Sequence, residues 1–396
     1  MKYWRGYLTA AILGFFAYGL TLFAKGHSAL IDMVYPYLTR LVQTFLADWS
    51  SGVDFLLWQL LAVILILGVL ASIVLMIVLR WNPIQWFGWV LAAASVVVLL
   101  HTGLYGLNGY SGSIAEDIRL TVTEYSLSEL EGAATYYRDQ AIPLADSVAR
   151  DADGNVDFAD FQTLAQQAGE GFDTLVYEED LSIFACSTLP VKELGWADMY
   201  TSMGITGFTM SLTGEAAVNP QIPDVALPFT MCHEMAHRGC IATESDANMA
   251  AFLACRANSS PEFQYSGYFM AFRYCYNALL SHGTEQSKAA AQRVLDGVSD
   301  KMYHDLQNYS SFFASRKDEG ATKLANDVND AYIKLGGDER GTDSYGAVCD
   351  LLAGWYVQNI ILPQQAVEDQ KFDPYDETQV DLTGIVNAKV PNDTND

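Results

Sequence analysis

The sequence predicts a mainly α chain, with three transmembrane helices followed by a polar α+β domain that holds a small sheet. Three observations carry that expectation. Three apolar runs long enough to cross a bilayer fall within the first 106 residues. The remainder carries apolar residues at helical spacing except between Leu189 and Pro228, where that period fades and short strands fit better. It also holds 44 of the 47 acidic residues and 17 of the 22 basic ones, the mark of a solvated surface. The organisation that follows is a membrane anchor over 1–106, a folded domain over 107–363 and an acidic, disordered tail over 364–396.

The three spans are placed at about 6–24, 55–79 and 84–107. Each covers the roughly 30 Å of hydrocarbon, and Trp81, Trp86 and Trp89 at the entrance of the third suit the interfacial belt. The first run has the basic start and apolar middle of a signal peptide, but no small-x-small cleavage site follows it. Between spans one and two, Ile31 to Trp49 reads as an amphipathic helix with Val34, Leu38, Leu41, Val42 and Phe45 on one side, either a connecting helix or one lying flat on the membrane. Lys2, Arg5 and Arg80 flank the spans on one side, which places them in the cytoplasm and everything after about residue 107 outside it. So acidic an outer part argues against nucleic acid or anionic lipid as a partner. All six cysteines lie in it, where disulfides are permitted; six allow fifteen pairings. Zinc ligation by Cys232 or Cys240 is the alternative, and no C-x-x-C spacing supports it.

Further along, Ser126 precedes Glu129 by three residues, a capping box, with Leu127, Leu130 and Ala134 at helical spacing behind it. The acidic run from Asp151 to Phe161 is about two residues short of a calcium-binding EF loop, and a turn with Asp157 capping the next helix accounts for it better. Gly204 to Leu212 and Glu215 to Asn219 read as two short strands joined by Thr213 and Gly214. The second of them, Glu215, Ala216, Ala217, Val218 and Asn219, is the expected edge strand on which an extended substrate would pair; a core strand of a small sheet is the other reading.

The chemistry concentrates in His233 to Asn248, which reads H-E-M-A-H-R-G-C-I-A-T-E-S-D-A-N. On a helix, His233 and His237 project from one face a turn apart, as two imidazoles on one zinc ion require. Glu234 beside them is placed to take a proton from water and pass it to a leaving amine, which is peptidase chemistry. A catalytic zinc keeps three protein ligands and one open position. Glu244 is the expected third ligand, with Asp246 competing for the role. Asn248, four residues beyond Glu244, would orient a ligating histidine. Gly239 marks the turn between the two segments, where a chain leaving a helix often needs a left-handed residue. Tyr345 and His282 are candidates for a second oxyanion donor. Beyond the motif, 249–257, 263–280, 286–315, 323–335 and 345–361 read as helices around an aromatic core.

Over most of its length the chain resembles the uncharacterised bacterial membrane family catalogued as domain of unknown function 3810. The resemblance shows in Val34-Tyr35-Pro36, Tyr105-Gly106-Leu107-Asn108, Thr213-Gly214-Glu215 through Val218-Asn219, and Leu227-Pro228-Phe229-Thr230 leading into Cys232-His233-Glu234. It continues in Glu244 through Ala247-Asn248 and in Ser344-Tyr345-Gly346 with Leu351-Leu352. It implies three amino-terminal spans and a zincin-like metallopeptidase domain, with His233 and His237 as zinc ligands, Glu234 as catalytic base and the acidic run as source of the third ligand. This chain departs from the family pattern at Arg238 and Gly239, where the family has a glutamine and places its glycine one residue later. It also has Asp246 in place of a usual glutamate, which favours Glu244 as the ligand. The expected function is a membrane-anchored zinc metallopeptidase acting on peptide or protein. The alternative is a non-catalytic receptor or scaffold that binds peptide or cell-wall partners through the same fold.

Overall fold

The computed structural model describes residues 4–122, 124–335 and 344–371. Helices dominate it. In chain order they are α1 (Arg5–Gly26), α2 (Ser28–Ser50), α3 (Leu57–Val78), α4 (Pro83–Leu104), α5 (Leu127–Ser147), α6 (Phe161–Tyr177), α7 (Leu227–Arg238), α8 (Glu244–Ala257), α9 (Pro261–Ser281), α10 (Glu285–Asp296), α11 (Asp300–Arg316), α12 (Glu319–Leu335), α13 (Ser344–Tyr356) and α14 (Leu362–Lys371). Short helical turns fill several connections.

α1, α3 and α4 are the three spans, each of 22 residues and so about 33 Å long, enough for the hydrocarbon core. α1 and α4 cross backbone to backbone: a Cβ on Gly6 would lie 2.4 Å from the carbonyl carbon of Gly88, so small residues let these helices touch. α2 inverts the pattern of a water-facing helix. Its polar residues Thr39, Arg40, Gln43 and Ser50 are buried, while Met33, Leu41, Phe45 and Trp49 are exposed.

The remaining helices surround one core in which α8 and α9 are central. Ala250, Ala251, Phe252, Phe263, Tyr265, Phe269 and Phe272 are all fully buried there. The capping box at Ser126 forms as expected, with Ser126 Oγ accepting from Glu129 N and Glu129 Oε2 accepting from Ser126 N. The acidic run at Asp151 closes as a turn, its Oδ1 accepting from the backbone of Asp153 and Asn155. The next helix is capped by Asp160, which accepts from Gln162 and Thr163, and not by Asp157. All six cysteines are free thiols, five of them buried. α14 carries the chain helically to Lys371, and the rest of the acidic tail lies outside the described residues. Residues 336–343 also lie outside them.

A sheet of three strands, β1 (Lys192–Glu193), β2 (Gly207–Met210) and β3 (Glu215–Val218), runs in the order β1-β3-β2. β2 and β3 form the expected antiparallel hairpin, with Gly207 opposite Val218 and Met210 opposite Glu215, turning at Gly214 with φ +67°. β1 adds to the far side of β3 in parallel, Lys192 opposite Ala217. The strand from Glu215 is therefore the middle one, against the expectation that Glu215, Ala216, Ala217, Val218 and Asn219 form a free edge. All five are buried, and Asn219 donates its backbone N–H to the carbonyl of Thr206. β2 forms one edge of the sheet and β1 the other, because β3 pairs on both its sides.

Candidate metal centre

α7 and α8 deliver the ligands. α7 begins with Pro228 in its first turn, where a missing N–H costs nothing, and packs on β3 and β2. It ends in a Schellman motif: Ile241 N–H bonds to the carbonyl of Ala236 and Cys240 N–H to that of His237. The left-handed residue of this motif is Cys240, at φ +68°, and not Gly239, whose φ is −72°. Gly239 is needed for space instead, since a Cβ there would lie 3.1 Å from Cys186 Sγ and 3.2 Å from the Ala236 carbonyl. The motif turns the Ile241 carbonyl back onto the helix, where it accepts from His237 Nδ1 at 2.9 Å. A carbonyl can only accept, so this bond fixes the proton on Nδ1 and leaves Nε2 of the neutral ring bare, as a ligand requires. Arg238, the departure from the family pattern, is buried and donates to the carbonyls of Ser187 and Leu189. α8 starts at Glu244, with Thr243 accepting from Asp246 N as its cap.

His233, His237 and Glu244 converge. His233 Nε2 and His237 Nε2 are 3.1 Å apart; Glu244 Oε2 is 3.4 Å from the first and Glu244 Oε1 is 3.8 Å from the second. All three ligand atoms lie within 4.8 Å of one another. Tetrahedral zinc with bonds of 2.0–2.1 Å sets neighbouring ligand atoms about 3.3 Å apart, so the observed spacings bracket what the ion demands. The donor set points the same way. Three acceptor atoms converging this closely repel unless a proton or a cation sits among them. Zinc fits these residues.

The charges of the metal-free cluster follow. Burial works against a charged His237, yet the Glu244 carboxylate outweighs it and raises the pKa to about 9. Burial likewise opposes the Glu244 carboxylate, but hydrogen bonds to His233 and His237 hold it well below the usual carboxylate range.

Glu234 is buried and stands outside the ligand set. Its Oε2 accepts from Thr209 Oγ1 at 2.7 Å, and the same hydroxyl reaches the Glu234 carbonyl. Burial pushes its pKa up, while His233, His237 and the Thr209 hydroxyl pull it back. Gly207 leaves room for it: a Cβ there would lie 2.4 Å from Glu234 Oε1. The edge strand β2 thus faces the carboxylate through Gly207 and Thr209, two residues whose role the sequence did not disclose.

The other expected site residues are placed elsewhere. Asp246 accepts from Ser113 Oγ at 2.9 Å and is not in the cluster, where Glu244 stands with the two histidines. Asn248 is turned to α9, its Oδ1 accepting from Tyr274 Oη at 3.0 Å, and makes no hydrogen bond to either histidine among the described residues. Its Nδ2, like His233 Nδ1, is buried without a hydrogen-bond partner among them. His282 is exposed beyond the end of α9, away from the cluster. Tyr345 falls in α13, but its side chain lies outside the described residues.

Two histidines one helical turn apart, a glutamate from the following helix and an unligated carboxylate between the histidines define a zincin-type metal centre, here in a chain with three membrane-spanning helices. The chain belongs to the family described as "Protein of unknown function (DUF3810)", whose model matches residues 32–353, from α2 into α13. No curated protein and no solved structure matches it.

Proposed function

We propose that this protein is a membrane-anchored zinc metallopeptidase in which Glu234 is the general base. The observation that carries the reading is Glu234 itself. It is a buried carboxylate that ligates nothing, seated beside the ligands by Thr209 and given space by Gly207. A site that only binds has no use for such a group, which disfavours the receptor or scaffold alternative.

His233, His237 and Glu244 would hold the ion, and zinc so held supplies Lewis acidity at a coordination position left open to water and substrate. Glu234 takes the proton of the attacking water and passes it to the leaving amine. The free edge of β2 beside this carboxylate is where an extended peptide would pair, by strand addition, in place of the strand from Glu215 that the sequence suggested. The residue division is that of an anchor over 1–106 and a catalytic domain over 107–363, with α2 docked onto the latter through Arg40 and Gln43. The basic flanks at Lys2, Arg5 and Arg80 support a catalytic domain outside the cytoplasm. An alkaline phosphatase fused after Asn108 is expected to be active, and an inactive fusion would reverse that orientation.

The test of the catalytic reading is Glu234→Gln in the full chain. Zinc content is expected to stay at the wild-type value while hydrolysis of a denatured protein mixture falls by about 10²- to 10⁴-fold. Unchanged hydrolysis would remove Glu234 from the chemistry, and a zinc-loaded wild type without turnover would leave the binding alternative standing.

A further inference from the structure

The edge strand beside Glu234 ends where the membrane helices end. Ser211 directly follows β2; its carbonyl accepts from Gln43 Nε2 of α2 at 2.8 Å, and its hydroxyl meets His101 Nδ1 in the last turn of span α4 at 3.0 Å. At the other end of the hairpin turn, the Glu215 carboxylate accepts from the backbone N–H groups of Leu57 and Trp58, at 2.8 and 2.9 Å. Those are the first two residues of span α3, so a buried carboxylate of the sheet caps a transmembrane helix at its positive end. Trp58 also packs against Phe208 of β2, ring centroids 5.3 Å apart and planes tilted by 52°, and Gln59 Nε2 donates to the carbonyl of Gly195. The tip of the β2–β3 hairpin is therefore clasped by the start of one span and the end of another.

α2 fixes the level of the bilayer at this place. It follows span α1 after His27 and precedes span α3, and its polar face is spent on the domain, with Arg40 Nε on the Gly239 carbonyl and Gln43 on Ser211. What it turns outward is apolar: Met33 is 69% exposed, Leu41 70% and Phe45 68%, with Tyr37 and Trp49 beside them. A helix tied at both ends to spans, with tyrosine and tryptophan among its outward residues, lies in the lipid interface, because no water-facing helix gains by exposing that stripe. The occupant of the face is the bilayer surface itself.

Distances along β2 then place the chemistry. Thr209, which holds Glu234, is two residues from Ser211, or about 7 Å of extended strand. We infer that the substrates are polypeptides anchored in the same membrane, cut within a few residues of the point where they leave the bilayer. This rests on the peptidase reading and adds the substrate class to it. A segment emerging from the bilayer reaches the free edge of β2 in extended form, whereas a site held tens of ångströms above the surface misses it.

The full chain is reconstituted in vesicles of phosphatidylethanolamine and phosphatidylglycerol with single-span substrates. Each carries the segment that the solubilised enzyme cuts best in a random peptide mixture. In one the segment begins four residues from the span; in the other a twelve-proline spacer lifts it by about 37 Å. The segment as a free peptide is the control. The close substrate is expected to be cleaved at least ten times faster than the raised one. Equal rates, or cleavage of the free peptide without cleavage of the close substrate, would overturn the inference alone. A zinc-loaded chain that cuts none of the three, nor any peptide of the mixture, would overturn it together with the peptidase reading. Independently of activity, a carbene photolabel dissolved in the lipid is expected to mark Met33, Leu41 and Phe45; labelling of these residues only by a water-soluble reagent would contradict the placement of α2.

Discussion

Gly207→Ala isolates the position of the proposed base from the metal. The added Cβ would lie 2.4 Å from Glu234 Oε1, 2.7 Å from its Cγ and 2.8 Å from its Cδ, where ordinary contact begins near 3.4 Å. The carboxylate is the mobile partner, since Gly207 is pinned by its pairing with Val218, so Glu234 must retreat by about 1 Å. A misplacement of that size costs about 100-fold in rate, or about 2.7 kcal/mol of barrier. The three atoms nearest the new methyl group all belong to Glu234, and none to a zinc ligand. The assay is hydrolysis of a fluorogenic peptide by the purified full chain, with zinc measured on the same sample. The expected outcome is a kcat about 100-fold lower at unchanged zinc content. Wild-type kcat in this variant would refute the argument that Glu234 acts from the place the structure gives it.

Thr209→Val removes a hydrogen bond that lowers the Glu234 pKa, so that pKa rises further and the acid limb of the kcat/KM profile moves to higher pH; an unmoved limb would contradict the assignment. Proton and zinc compete for His237, whose pKa in the metal-free chain is raised to about 9, so protonation wins ground as pH falls below that value. Apparent zinc affinity, read with a competing chelator dye, should therefore drop about ten-fold per pH unit on going down from pH 8.5 to 6.5, and a flat profile would count against this charge state. Glu215→Gln leaves the partly buried Lys192 ammonium, 2.8 Å from the fully buried Glu215 Oε1 in the wild type, without its counter-charge. It is expected to destabilise the chain by about 3 kcal/mol, seen as a fall of roughly 5 °C in the melting temperature in detergent. A shift within a degree or two would show that the carboxylate is dispensable.

Much of this was legible in the sequence because it depends on local pattern. Apolar runs of span length, the Ser126 and Glu129 box and the histidines at i and i+4 each carry their meaning within a few residues. Glu244 was legible as the candidate third ligand because it opens the run Glu244 through Ala247-Asn248, and α8 begins with it. What failed depends on contacts distant in sequence. The strand from Glu215 is central only because Lys192 and Glu193, more than twenty residues upstream, pair with its far side, and two residues leave no periodic signal. Asn248 was aimed at a histidine by helical spacing, but Tyr274 from the next helix takes its oxygen. Gly207 looked like one glycine among 30, and its use is visible only once Glu234 lies against it. Gly239 was expected to be left-handed from residue type, yet the Schellman geometry puts that conformation one residue on, at Cys240. The apolar stripe of α2 was plain in the sequence; that it faces outward needed the buried partners of Arg40 and Gln43.

The most direct measurement is the metal content, by elemental mass spectrometry, of the full chain purified in detergent, beside His237→Ala and Glu244→Ala. One zinc per wild-type chain, lost in both variants while they remain folded, is the result the convergence of His233, His237 and Glu244 requires. A folded wild type that takes up no zinc, or a Glu244→Ala chain that holds it as tightly as before, would contradict the three-ligand centre on which the function rests.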